Sequence, residues 1–188
     1  MLALLAGLAG CAGSALPAAD GNGWVRLPPE VGGLLTDADR RAVSVIMATL
    51  TAPARQDGDP AAQARALGYY EYATVALNAP RWVGLNPLAV LQLREGRTAL
   101  RGFYGIRQDA PAQLVLDGFF RAASALAVGD RVAAASSFPP AILSVPPEEL
   151  VRRLMIQPPP ALAEVARASA FTGQALNALD GGNAVWPD

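Results

Sequence analysis

Asn86-Pro87-Leu88-Ala89-Val90-Leu91-Gln92-Leu93-Arg94-Glu95-Gly96-Arg97-Thr98-Ala99-Leu100-Arg101-Gly102-Phe103 is the stretch whose reading decides the fold. A side chain that can cap a helix stands directly before a proline, and proline is accommodated at a first helical position because the N–H it lacks has no partner there anyway. Behind that start, Ala89, Leu93, Leu100 and Phe103 recur with the period of a helix and form one apolar face. Gly96 lets a neighbouring helix approach closely. Arg94, Arg97 and Arg101 follow one another at i, i+3 and i+7, and the period assigns them to the opposite face.

The same grammar extends in both directions. Asp59-Pro60 opens a helix on which Tyr69, Tyr72, Ala73 and Ala76 share one side, and Gln63, Glu71, Thr74 and Asn78 the other. Upstream, Thr36 with Asp39 resembles a capping box ahead of Val43, Ile46, Met47 and Leu50. Downstream, Asp109-Ala110-Pro111 opens a helix that buries Val115, Phe119, Ala122 and Leu126 and stops at Gly129. A short helical piece spans Arg131 to Ser137, and Pro139-Pro140 ends it. Pro147-Glu148-Glu149 begins another, with acids in the first turn where the helix dipole favours them. The last helix runs from Pro160 to Asp180 and presents Leu162, Val165, Leu176 and Leu179.

Strand signals are weak, with Val25 to Leu27 and Ile142 to Val145 the best short candidates. Starts at 59, 86 and 109 are too unevenly spaced for a solenoid repeat. The fold class is therefore all-α, a single-domain bundle of about six helices over residues 36–188.

Charge and composition exclude several functions. Fifteen arginines stand against sixteen acids, for a net charge of −1, so no overall field selects nucleic acid. The chain has neither histidine nor lysine, which removes the commonest general base and the commonest metal ligand. Serines and threonines are left with no such partner to activate them, so a nucleophilic enzyme is not expected and no catalytic residue is assigned. The acid pairs Asp57/Asp59 and Glu148/Glu149 are explained by loops and helix starts, and no phosphate loop, dinucleotide fingerprint or metal cluster occurs. No cofactor, metal or nucleic-acid partner is expected.

Two groups can still bind something. Arg94, Arg97 and Arg101 could hold an anion or an acidic partner helix, although a solvated polar face partly paired with Glu95 is the plainer reading. Tyr69, Tyr70, Tyr72, Trp82, Phe103, Tyr104, Phe119 and Phe120 could line an apolar pocket, but such residues more often form the core. Glu71, between two of these tyrosines, falls in phase with the polar side.

The N-terminus carries the one chemical motif. Leu2, Ala3, Leu4, Leu5, Ala6 and Leu8 form an apolar run too short to span a bilayer, which takes about 20 residues. It ends in Leu8-Ala9-Gly10-Cys11, which resembles the lipobox of bacterial lipoproteins, and Cys11 is the only cysteine. The resemblance implies removal of residues 1–10 and lipidation of Cys11, and the small, Gly- and Pro-rich, aperiodic composition of residues 11–35 reads as a flexible tether. It implies a cell-envelope protein facing the periplasm and held on a membrane by its lipid. Ala12, where some bacteria place an inner-membrane aspartate, favours the outer membrane. A secretory signal cut near Ser14-Ala15 or Ala18-Ala19, or an apolar end with an inert thiol, are the other readings of this stretch.

Together these features lead to an expected function: a non-enzymatic, lipid-anchored envelope protein with a structural or protein-interaction role. The alternative is a helical carrier that holds an apolar or anionic molecule between its helices.

Overall fold

Eleven consecutive residues of the helix opened by Asp59-Pro60, from Ala66 to Ala76, are buried, with no exposed side among them. A helix buried all round belongs at the centre of a bundle. The computed structural model describes residues 24–32, 37–50, 59–155 and 162–182, and in it that helix is the hub of an all-α bundle. Among the described residues the α-helices are α1 (Pro29–Gly32), α2 (Ala38–Leu50), α3 (Pro60–Ala76), α4 (Pro87–Tyr104), α5 (Ala112–Ala127), α6 (Arg131–Ser136), α7 (Pro147–Leu154) and α8 (Leu162–Gly182). Single 3₁₀ turns at Pro80–Trp82 and Pro140–Ile142 connect some of them. Helix α3 packs most extensively on α5 and also touches α2, α4 and α7, while α8 closes the bundle against α2 and α4.

The cap-then-proline starts are realised at α3 and α4. The Asp59 carboxylate accepts from the Ala62 N–H and the Asn86 side chain from the Leu88 N–H. Helix α4 ends at Gly105, whose φ of 68° is the left-handed conformation that closes a helix without a Cβ penalty. Two expected starts differ. Asp109 does not cap α5; its carboxylate pairs with Arg107, and α5 begins after Pro111 with no side-chain cap. Helix α2 begins behind Asp37, whose carboxylate accepts from the Asp39 N–H at 3.0 Å, while Asp39 itself turns inward. Thr36 lies outside the described residues.

No strand forms among the described residues: the Ile142–Val145 candidate contributes one isolated bridge, between Ile106 and Leu143. The body also begins earlier than residue 36. Gln113 on α5 accepts from the Arg26 N–H at 2.8 Å and donates to its carbonyl at 3.0 Å, and Val25, Leu27 and Val31 pack on the core. That part of the expected tether is ordered on the bundle, because its alternate apolar residues have a surface to cover.

Aromatic rings fill the middle of the molecule in edge-to-face pairs. Tyr69 meets Phe120 with centroids 5.1 Å apart, and a chain runs from Phe103 through Tyr104 and Phe119 to Phe138. Tyr69, Tyr70, Tyr72, Tyr104, Phe119 and Phe120 are buried, and Trp82 and Phe103 lie partly buried against the core. The aromatic group is core.

Candidate functional site

The three arginines of α4 do not share one environment. Arg94 is exposed, whereas Arg101 has one of the largest fully buried side chains in the protein, 2 % exposed. Arg97 lies between them in both position and burial. Leu93, Arg97, Leu100, Arg101 and Tyr104 lie on neighbouring strips of the helix, so the apolar face extends round to take in Arg101, and Arg94 falls just beyond it.

What receives Arg97 and Arg101 is Glu71. Its Oε2 accepts from Arg97 Nε at 2.7 Å and from Arg101 Nη2 at 3.0 Å, and its Oε1 accepts from Arg101 Nε at 2.8 Å. Arg101 Nη1 then donates to the carbonyls of Arg107, Gln108 and Ala110 at 3.3, 2.9 and 2.9 Å. One guanidinium thus joins the central helix to the turn between α4 and α5. Glu71 is buried rather than on a polar face, because α3 has no polar face at its middle. A carboxylate can stay there only because two guanidinium groups compensate for its desolvation. Arg101 is therefore committed inside the protein, and the three arginines, which could have held an anion or acidic partner together, do not share one surface.

A second buried acid does similar work at the other side of α3. Asp39 Oδ1 accepts from the Tyr72 hydroxyl at 2.7 Å, and Oδ2 accepts from Trp82 Nε1 at 2.6 Å and Arg81 Nη2 at 2.8 Å. Burial, the hydrogen bond to Asp39 and its negative charge push the Tyr72 hydroxyl well above the ordinary tyrosine range. The 3₁₀ turn after α3 is thereby clasped to the start of α2. Position hinted at this: Asp39, Val43, Ile46 and Leu50 follow helical spacing, so an acid stands in the apolar stripe.

Among the described residues, neither Glu71 nor Asp39 lines either of the two described surface grooves. A groove of about 820 Å³ lies between α6 and α7 and runs along the surface. The buried Phe138, Ala135 and Val151 line it, together with Pro139, Pro140 and Pro147. At its rim Val132 is 79 % exposed and Met155 is 41 % exposed, and Val128 nearby is 81 % exposed. Arg121, Arg131 and Arg152 also line it, against one carboxylate, Glu148. The pieces bordering the groove were legible as helices and proline stops, but no periodicity announces that two short helices leave a gap.

No family model, curated protein or solved structure matches the chain.

Cys11 and Asp57 lie outside the described residues. Among the described residues no helix is long and apolar enough to cross a membrane, and no group of three or more acids or thiols gathers to hold a metal ion.

Proposed function

We propose that the protein is a non-enzymatic, lipid-anchored component of the bacterial cell envelope that acts by binding another envelope protein. The anchoring part rests on the lipobox-like Leu8-Ala9-Gly10-Cys11, with the outer membrane favoured by Ala12. The interaction part is carried by a single observation, the apolar groove between α6 and α7 with Val132 and Met155 exposed along it. Exposed apolar surface of this kind costs solubility and is retained where a partner covers it. The buried acids fit this reading, since Asp39 and Glu71 each accept several internal donors that hold helices together.

Metabolic labelling with palmitate, together with membrane fractionation, tests the anchor. Wild type should label and sediment with membranes, and Cys11→Ala should do neither; a label that survives the substitution rejects lipidation at Cys11. Cross-linking in intact cells tests the interaction, and a protein recovered only as an uncross-linked monomer argues against it.

A second reading is favoured by the groove's size. At about 820 Å³ it falls within the range of small-molecule sites, so the same cleft could carry an apolar anion. Native mass spectrometry of the protein from its own membranes distinguishes the two, because a carrier retains a bound small molecule.

A further inference from the structure

We propose that the groove between α6 and α7 is the docking site for a short amphipathic helix of the partner protein, one with carboxylates beside its apolar stripe. This rests on the interaction reading above and gives its partner a chemistry.

The apolar part follows from the lining. Phe138 and Val151 are buried in it, and Val132 and Met155 stand exposed along it. The stripe must be short, because α6 has 6 residues and α7 has 8, which at about 1.5 Å per residue gives walls of roughly 9–12 Å. Two helical turns match that length.

Helical rather than extended backbone follows from what the walls lack. An added strand needs a row of unpaired backbone N–H and C=O groups to bond with. Here helices α6 and α7 flank the groove, and its lining includes Pro139, Pro140 and Pro147, which have no N–H to offer. An occupant must satisfy its own backbone, and a helix does so.

The acidic part follows from charge. Arg121, Arg131 and Arg152 face the groove with only Glu148 opposing them. Glu149, behind the groove, accepts from Arg152 at 2.6 and 2.7 Å, and Arg121 donates to the Ser137 carbonyl at 2.9 Å. Even with Glu149 counted the rim keeps a positive excess, and Arg131 stands exposed at the start of α6. Carboxylates flanking the stripe would meet guanidinium groups in their preferred paired geometry.

The test is a selection of random 12-residue displayed peptides on the full chain held in phosphatidylcholine nanodiscs. Enriched peptides should combine helical apolar spacing with Asp or Glu. Their binding should weaken about tenfold or more with Val132→Glu and with Arg131→Glu. Both replaced side chains are exposed, so both variants should keep the wild-type thermal midpoint. Enrichment of neutral or basic peptides, no enrichment, or binding indifferent to Val132→Glu overturns the proposal. So does the small-ligand outcome, in which decanoate perturbs the Met155 methyl signal while no peptide does. An envelope partner that still cross-links to Val132→Glu would remove the groove and leave the interaction role standing. Absence of palmitate label from the wild-type protein would remove only the anchor.

Discussion

Glu71 holds two guanidinium groups on one carboxylate in the buried middle of α3. Glu71→Ala leaves Arg101 charged and desolvated, and should cost about 3–5 kcal/mol, read from the urea midpoint. Combining Glu71→Leu with Arg101→Met removes both charges together, so the pair should lose less than the two single changes added. Tyr70 offers the converse case. Its hydroxyl is buried with no hydrogen-bond partner and lies under Gly96, where an added Cβ would clash with it. Burial, reinforced by the nearby Glu71 charge, pushes this hydroxyl above the usual tyrosine range. Tyr70→Phe should therefore be neutral or stabilising, by about 1 kcal/mol or less. Gly96→Ala should cost about 1–3 kcal/mol through overpacking, and less in the Tyr70→Phe background. Sequence shows why such residues are hard to place. Gly96 reads correctly as a site of close approach, but Glu71 reads as polar surface because its partners stand 26 and 30 residues away.

At the scale of elements, legibility follows from how local the signal is. Asp59-Pro60 and Asn86-Pro87 fix their helices because cap and proline act within one turn. Asp109 fails as a cap because Arg107, two residues away, takes its carboxylate. Helix α7 is held by a local network in which Glu149 accepts from Arg152 and Arg153, and Arg153 also donates to the Phe103 carbonyl. The hydrogen bonds from Arg152 and then Arg153 lower the Glu149 carboxyl from 4.5 to about 2. A carboxyl whose folded-state value is depressed stabilises the fold above its unfolded value, and that contribution fades as pH falls from 4.5 towards 2. Glu149→Gln should accordingly lower the urea midpoint slightly at pH 7. The gap between the two proteins should narrow steadily below about pH 4.5 and close near pH 2, which denaturation series at several pH values will show.

For the whole molecule, the fold class was readable and the outline was not. The Gly- and Pro-rich composition of residues 11–35 suggests a tether, yet Val25, Leu27 and Val31 are spent on the bundle and Arg26 is fixed to Gln113. A protein beginning at Thr36 should thus be less stable than one beginning at Trp24 by about 2 kcal/mol, the worth of three partly buried apolar side chains. Calorimetry should register this as roughly 4–8 °C in the thermal midpoint. The all-round burial of α3 has a consequence in time as well as in space. On a ribosome, α3 is complete when Ala76 has been added, and its chief partner α5 only when Ala127 has followed, a delay of about 3–10 s at ~5–20 residues per second. Until α4 follows, the newborn chain displays a greasy helix whose central carboxylate has no guanidinium beside it, and the face that α5 covers stays open through the whole interval. The order of the helices along the gene thus sets how long apolar surface stays uncovered during synthesis, and exchanging the order of α4 and α5 would shorten that exposure.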